Sequence, residues 1–242
     1  VPFAIASGSF TTRTGLLNGS GGRLVKSGAG DLILVEDAGN DKISNLDFTI
    51  KGGSVLVSRP HASSAFDGHE LLFDGNGATF SVGVADYLHE QYVQEFANFG
   101  LSETAAVTDH DNSLNSDIDG FKFLFTGEPK HNPTEFSGAI TGKLSLDWAP
   151  DSNCELVLSG GKSTTVGSLK VSSGKVTLTD GARFTSLASL EMADGAALEV
   201  GAGSVIVASS LVVNGAQMPS GYYKNVDWFA GDGIVFVPFP DP

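Results

Sequence analysis

The C-terminal third of the chain repeats short apolar runs at steps of about seven residues. The runs are residues 156–158, 169–171, 176–178, 184–187, 190–192, 198–200, 205–207 and 211–213. Most of them alternate apolar with polar residues, as a strand with one wet face requires. Three such strands with their turns make a coil of about twenty residues, a short period typical of repeats that stack only on their neighbours. The pattern therefore predicts an all-β chain folded as a right-handed parallel β-helix, or β-solenoid.

Turn residues separate the runs at the positions where the corners of such a coil must fall. Gly174, Gly181 and Gly195 each follow Ser or Asp, and residues 201–203 read Gly-Ala-Gly. Glycine suits these bends because it adopts positive φ without strain. An Asp-Gly pair between alternating runs also signals a hairpin, so an antiparallel β-sandwich is the alternative fold.

Two segments, residues 26–34, KSGAGDLIL, and residues 50–57, IKGGSVLV, each combine glycines with a short apolar strand. They resemble the glycine-rich lead with its Leu-x-Leu strand and the closing strand of the autotransporter-associated β-strand repeat of bacterial passenger domains. Residues 136–142 resemble the linker before such a repeat, and residues 156–178 resemble another copy. Residues 213–222 with 231–237 resemble the terminal strand pair of many such proteins. The resemblance implies a solenoid that is secreted and displayed at the bacterial cell surface, with a role in adhesion or surface architecture.

The charge of the chain limits its partners. Lys and Arg number 14 against 28 Asp and Glu, which gives a formal net charge of −14. This charge repels a phosphate backbone and disfavours attachment to anionic lipid. No apolar stretch reaches the roughly 20 residues of a membrane-spanning helix. We therefore expect no nucleic-acid partner and no membrane insertion of this chain.

The repeat pattern divides the chain into three parts. Residues 1–60 and 134–242 carry the solenoid repeats, and the second of these includes the terminal strand pair. Residues 61–133 break the period and are richer in His, Asp and Phe, which predicts an insertion or side domain packed against the solenoid.

One helix is predicted inside this insertion, over residues 86–100. Asp86 stands where a helix cap is needed, and Gly100 stands where the helix would end. Apolar residues lie between them at helical spacing, namely Leu88, Tyr92, Phe96 and Phe99. Such a stripe is interpreted either as core, covering an open end of the solenoid, or as a ligand groove.

A cluster of oxygen ligands follows the predicted helix. Asp109, Asp111, Asp117 and Asp119 alternate with other polar residues, a spacing that suits a hard cation such as calcium. The EF-hand pattern is incomplete, because Leu114 and Gly120 stand where its Gly and Glu are required. The two interpretations are a calcium site at these four aspartates and a solvated acidic loop.

Motifs for catalysis or cofactor binding are missing from the sequence. The five histidines are scattered, and Cys154 alternates with apolar residues, as expected of a packed hydrophobic side chain. No nucleophile elbow, P-loop or dinucleotide fingerprint is present. We therefore expect no enzyme activity, no catalytic residue and no bound cofactor.

Three functions remain from the sequence. The first is an exported, non-catalytic bacterial surface protein with a structural or self-assembling role, in which residues 3–10 of one copy pair head-to-tail with residues 234–239 of the next. The alternatives are an adhesin that binds a glycan or a host surface, through residues 61–133, and a β-helical polysaccharide lyase or glycosidase.

Overall fold

A computed structural model describes residues 2–4, 6–14, 17–36, 43–58, 70–82, 90–93, 95–98, 104–109, 121–160, 162–163, 165, 167–179 and 181–240. These residues form strands and turns, and no helix occurs among them. The strands are β1 (Pro2–Ala4), β2 (Ser9–Thr14), β3 (Leu17–Ser27), β4 (Asp31–Glu36), β5 (Ile43–Ile50), β6 (Ser54–Ser58), β7 (Glu70–Phe73), β8 (Thr79–Val82), β9 (Glu90–Val93), β10 (Glu95–Asn98), β11 (Ala106–Asp109), β12 (Phe121–Gly127), β13 (Thr134–Phe136), β14 (Ala139–Thr141), β15 (Leu144–Pro150), β16 (Glu155–Leu158), β17 (Lys162–Ser163), β18 (Ser168–Val171), β19 (Lys175–Leu178), β20 (Arg183–Met192), β21 (Ala197–Val200), β22 (Val205–Val213), β23 (Ala216–Gln217), β24 (Gly221–Tyr223), β25 (Phe229–Ala230) and β26 (Ile234–Val237).

The strands stack in parallel on three faces, which makes the chain a β-solenoid. Face 1 consists of β1, β3, β5, β7 and β10, followed by a second sheet of β13, β16, β19, β21 and β25. Face 2 begins with β2, β4, β6, β8, β11 and β14, and face 3 with β9, β12, β15 and β18. Farther along, β20 and β22 are long enough to contribute to faces 2 and 3 together, and β26 adds to face 2. The predicted parallel solenoid is confirmed, and the antiparallel sandwich is wrong.

The registers give the length of the coil. Ser168 pairs with Ser189, and Ser189 pairs with Ser210, so each of these coils takes 21 residues. The step grows toward the middle of the chain, where Ala106 pairs with Ala139 across 33 residues. The repeat of about twenty residues that the apolar runs predict is therefore present in the C-terminal coils.

Alternate residues of each strand point into the solenoid and form its core. Leu169, Leu190 and Leu211 lie in register on successive strands of face 3, and all three are fully buried. In the middle coils the core is aromatic, and Phe48 and Phe123 each lie 6.4 Å from Phe80 between ring centroids. Because contacts inside the core join successive coils, the stack buries an apolar column that no single coil could bury alone.

The helix predicted over residues 86–100 is wrong for its described residues. Glu90–Val93 pairs in parallel with β12, and Glu95–Asn98 pairs in parallel with β7. The physical reason is that β7 and β12 each have a free edge at this level, and strands that complete these ladders satisfy backbone groups that a helix would leave unpaired. Residues 83–89, 94, 99 and 100 lie outside the described residues.

The described strands of the range 61–133 belong to the solenoid stack. They are β7 to β12, and they pair with strands before and after this range. The rest of the range, residues 61–69, 83–89, 94, 99–103 and 110–120, lies outside the described residues, so the insertion or side domain stays a prediction there.

Candidate functional site

The predicted calcium site falls almost wholly outside the described residues. Asp109 is the last residue of β11, on face 2, whereas Asp111, Asp117 and Asp119 lie in the undescribed range 110–120. Within the part of the chain that the structure describes, no three His, Cys, Asp or Glu side chains are grouped to hold a metal. The calcium site stays a prediction.

Cys154 is buried in the core, as expected of a packed side chain. Its Sγ lies 3.0 Å from Oγ of Ser152. His131 is exposed on the connection between β12 and β13, and the other four histidines lie outside the described ranges. Among the described residues, Cys154 and His131 are not grouped with other side chains that could hold a metal.

Two buried carboxylates and two partly exposed cations form a cluster at the start of face 1, here called the charge cluster. It consists of Arg23 on β3, Asp47 on β5, Glu70 on β7 and Lys130 from the connection between β12 and β13. Arg23 donates from one guanidinium nitrogen to Glu70 at 2.6 Å and to Asp47 at 3.3 Å. Lys130 pairs with the other carboxylate oxygen of Glu70 and lies 3.4 Å from Asp47.

Strand register brings the first three members of the charge cluster together. Arg23 on β3 pairs with Asp47 on β5. Phe48, the residue after Asp47, pairs with Leu71, the residue after Glu70, so Glu70 on β7 lies beside Asp47. The backbone N–H of Glu70 also donates to Asp47 at 3.2 Å. Asp47 and Glu70 are only 7% and 2% exposed, so their charges depend on these partners.

The outer side of face 1 is also buried next to the charge cluster. Thr49 and Leu72 pair on the side of the sheet opposite to the core residues Phe48 and Leu71, yet both are buried. Lys130 crosses to β5 and β7 from this outer side. Its hydrogen bond with Glu70 raises the pKa of Lys130 above its ordinary value, helped by the charge of Asp47 and opposed by burial. The ammonium of Lys130 is therefore held in its charged form over two carboxylates.

The arrangement of the charge cluster is better suited to holding coils together than to acid–base catalysis. A general acid or base needs a free proton site that faces a substrate. In the charge cluster each carboxylate contacts two cations, and three of the four side chains come from successive strands of one face. The cluster therefore ties three coils and the crossing connection together.

Other charges on the described faces also join neighbouring coils. On face 1, Lys175 lies 3.1 Å from Glu155 on the preceding strand and 2.6 Å from Glu199 on the following strand. On face 3, Asp147 lies 3.5 Å from Lys122 and 4.0 Å from Lys170, which flank it on β12 and β18. These ladders repeat the principle of the charge cluster at the surface.

A row of serine hydroxyls runs beside the Asp147 ladder. Oγ of Ser145 accepts a hydrogen bond from the backbone N–H of Ser168 at 2.9 Å, and Oγ of Ser189 donates to Ser168 at 2.8 Å. Ser210 follows Ser189 in register. Hydroxyl rows of this kind supply further cross-strand contacts between coils.

Lys26 is a buried charge of a different kind. It lies at the end of β3 in register with the core residue Ile50, and its side chain is fully buried. Its Nζ donates to the carbonyls of Ser27, Gly28 and Gly52, at 3.1, 2.8 and 2.9 Å. Burial lowers the pKa of Lys26, and the charge of Asp31 opposes this effect. The ammonium thus joins the corner after β3 to the corner after β5.

The C-terminal end of the stack has an antiparallel cap. β24 pairs antiparallel with β26, and β26 pairs in parallel with β22 on its other side. The side chain of Tyr223 packs toward Trp228, with ring centroids 5.6 Å apart. Tyr222 points to the opposite side and stacks on Phe236 at 4.3 Å. Both edges of β26 are therefore occupied.

The charge cluster could have been sought by its spacing in the sequence. Asp47 follows Arg23 by 24 residues, and Glu70 follows Asp47 by 23 residues, so one basic and two acidic residues recur at nearly one coil length. Lys130 has no such signal, because it lies 83 residues beyond Asp47.

These features define the class of the protein as a parallel β-solenoid held together by ladders of charges and hydroxyls. Comparisons with protein-family models, with curated proteins and with solved structures find no match. The resemblance to the autotransporter-associated repeat therefore stays a prediction.

Proposed function

We propose that this chain is an exported, non-catalytic surface protein in which the solenoid acts as a stiff shaft. The observation that carries the proposal is that the ion pairs of its described faces join strands of neighbouring coils. Arg23 and Lys130 connect β3, β5 and β7, and Lys175 connects β16, β19 and β21. Charges used in this way resist separation and bending of the coils.

The cap favours a shaft of fixed length and disfavours a filament that grows by adding copies of the chain. Head-to-tail assembly through residues 234–239 needs a free edge on β26, but β24 occupies that edge. A second copy would have to displace β24 before it could add a strand. A capped shaft is therefore our proposal, and the head-to-tail filament is its competitor.

The proposal that the protein is displayed at the cell surface is based on the sequence. The resemblance of residues 26–34 and 50–57 to passenger-domain repeats supports export, and the net charge of −14 suits an exposed, well-hydrated surface. Antibody labelling of intact cells that produce the protein tests this part. Labelling only after the cells are lysed would contradict it.

The shaft itself is tested on the purified chain by light scattering and small-angle X-ray scattering. We expect the mass of one chain and an elongated particle, since each coil adds about 4.8 Å along the axis. Filaments that lengthen with concentration would favour the head-to-tail assembly. A nearly spherical particle would contradict the shaft.

The non-catalytic part is tested with a panel of neutral and acidic polysaccharides, with calcium present. We expect no release of reducing or unsaturated ends. Release that disappears in Glu70→Gln would assign chemistry to the charge cluster and would overturn this part of the proposal. The same variant is expected to lower the stability, because it weakens the pairing of Arg23 and Lys130.

A further inference from the structure

The cap carries an exposed aromatic pair on its outer side. Tyr222 stands opposite Phe236 across β24 and β26, with ring centroids 4.3 Å apart and ring planes inclined by only 17°. Tyr222 is nevertheless 72% exposed, so one face of its ring is open to solvent. A tyrosine that contributes so little to the core calls for another explanation than folding.

Apolar side chains extend this surface over three strands. Ile234 lies on the same side of β26 as Phe236, because alternate residues of a strand share a face. Val205 and Val207 pair with Ile234 and Phe236 and are only partly buried. We call Tyr222, Phe236, Ile234, Val205 and Val207 the aromatic platform.

The exposed apolar surface of the described residues is concentrated here. The large hydrophobic side chains that are exposed among them are Tyr222, Ile234 at 37% and Phe239 at 66%. All three lie in the last part of the chain, from β24 to just beyond β26. Exposed Lys224 directly follows β24, and exposed Asp232 lies two residues before β26, so both belong to the connection between the two antiparallel strands. Apolar patches with a polar rim mark interaction sites.

We propose that the aromatic platform binds a neutral polysaccharide, with the ring of Tyr222 packed against the C–H face of a sugar ring. A pyranose ring is amphipathic, since its axial C–H groups form an apolar face and its hydroxyls project from the rim. Tyrosine matches it with an apolar ring and a polar hydroxyl.

The size of the patch decides against a protein partner. One aromatic side chain offers about 150–250 Å², so the exposed parts of Tyr222, Ile234 and Phe239 amount to roughly 300–400 Å². A standard protein interface takes about 800 Å² from each partner. The platform is therefore too small to hold a second copy by itself.

The shape and charge of the surface narrow the ligand further. An outer sheet face does not enclose a small molecule, whereas small-ligand sites are concave. A polymer of sugar rings needs only shallow contact at each ring and keeps its hydroxyls hydrated. The net charge of −14 disfavours acidic polymers, so a neutral polymer is the expected ligand.

Native gel electrophoresis of the full chain in gels that contain a soluble polysaccharide tests the proposal. The neutral probes are xyloglucan, glucomannan, mixed-linkage β-glucan and xylan, and the acidic probe is polygalacturonate. We expect at least one neutral polymer to retard the chain and polygalacturonate to leave it unaffected. Tyr222→Ala is expected to weaken the retardation by about tenfold in apparent affinity, as the loss of one aromatic contact implies.

Matched variants separate the ring from the fold. Tyr222→Phe keeps the ring and is expected to keep most of the binding, whereas Ile234→Thr keeps the β-branched shape and is expected to weaken it. Asp151→Ala changes an exposed residue away from the cap and is expected to bind like the unaltered chain. Circular dichroism of each variant checks that the strands are retained.

Several outcomes would overturn the proposal. They are no retardation by any neutral polymer, equal retardation of Tyr222→Ala and the unaltered chain, and dimerisation that Tyr222→Ala abolishes, which would make the platform a contact between copies. The shaft proposed above is judged by particle shape, so a failure of binding leaves that result unchanged.

Discussion

The side chain of Lys26 shows how one residue can hold two coils together. It occupies a core position, but its ammonium turns sideways to three carbonyls in the corners after β3 and β5. Hydrogen bonds from a charged donor are stronger than neutral ones, and a buried carbonyl without a donor is costly. Lys26 therefore stabilises the glycine-rich corners that a wholly apolar residue would leave unpaired.

Replacing Lys26 by methionine tests this role. We expect Lys26→Met to lower the free energy of unfolding by about 1–3 kcal/mol, since three carbonyls lose their donor while a buried charge is removed. Urea denaturation followed by circular dichroism measures the change. Lys51→Met is the control, because Lys51 is half-exposed and pairs with Asp74 at the surface, where an ion pair contributes about 0–1 kcal/mol. Equal losses in the two variants would contradict the buried role.

The contacts of Glu155 with Thr177 and Lys175 predict that the stability of the fold depends on pH. Hydrogen bonds from Thr177 and Lys175 lower the pKa of Glu155 below its ordinary value of 4.5, and the charge of Lys175 adds to this effect. A lowered folded-state pKa stabilises the fold above the unfolded value, and this contribution is lost as the pH falls through the folded value. The loss therefore occurs below about pH 4.5.

The variant Glu155→Gln removes this titration. We expect it to be less stable than the unaltered chain at pH 7 and to lose less stability between pH 5 and pH 2. Thermal unfolding at a series of pH values measures both effects, with Asp151→Asn as an exposed acidic control. If Glu155→Gln lost as much stability between pH 5 and pH 2 as the unaltered chain, Glu155 would not contribute to the pH dependence.

The corners between strands must stack as closely as the strands themselves. Gly53 has a φ of +63°, and a Cβ atom there would lie 2.8 Å from the carbonyl oxygen of Gly28 and closer still to that of Gly30. The corner after β5 therefore rests directly on the corner after β3. The glycines of the two segments that resemble the repeat, residues 26–34 and 50–57, have a physical reason in this contact.

The contact predicts unequal effects at two glycines of similar conformation. Gly53→Ala is expected to destabilise the protein by about 3 kcal/mol or more, because the methyl group meets backbone that cannot move away without opening the stack. Gly77 has a φ of +69°, but a Cβ atom there would have no neighbour within 4 Å. Gly77→Ala should therefore cost only the backbone strain, about 1–2 kcal/mol. Chemical denaturation compares the two, and a larger effect at Gly77 would contradict the stacking argument.

At the scale of the molecule, the described strands form a one-dimensional stack, in which each coil contacts mainly the coils beside it. Stability in such a stack is close to a sum of local terms and nearest-neighbour terms. A destabilising substitution in one coil should therefore cause local unfolding in that region and leave distant coils folded.

Phe48→Ala tests this behaviour. Phe48 is buried in the middle coils beside Phe80, and removing such a side chain costs about 3–5 kcal/mol. We expect faster amide hydrogen exchange in β5 and in its neighbours β3 and β7, with exchange in β20 and β22 unchanged. Hydrogen exchange measured by mass spectrometry follows these segments separately. A uniform rise across the chain would mean that the solenoid opens as a single cooperative unit.

The sequence by itself determined the β-strands and the period of the C-terminal coils, and it favoured a parallel stack over an antiparallel sandwich. Leu169, Leu190 and Leu211 recur at one coil length, each directly after a serine, and such a repeat is local, so it can be recognised without a structure. Glycine corners are local in the same sense, because a tight bend restricts the residues that can form it. The net charge, from which we expect no nucleic-acid partner, is likewise a property of composition.

Only the tertiary structure decided what happens where the period is broken. The spacing of Tyr92 and Phe96 suits a helix, but the free edges of β7 and β12 select strands there. Lys130 reaches Asp47 and Glu70 only because the connection after β12 crosses face 1. Both outcomes depend on which backbone edges and buried charges become neighbours after folding, and contacts between residues so far apart in the chain have no local signal in the sequence.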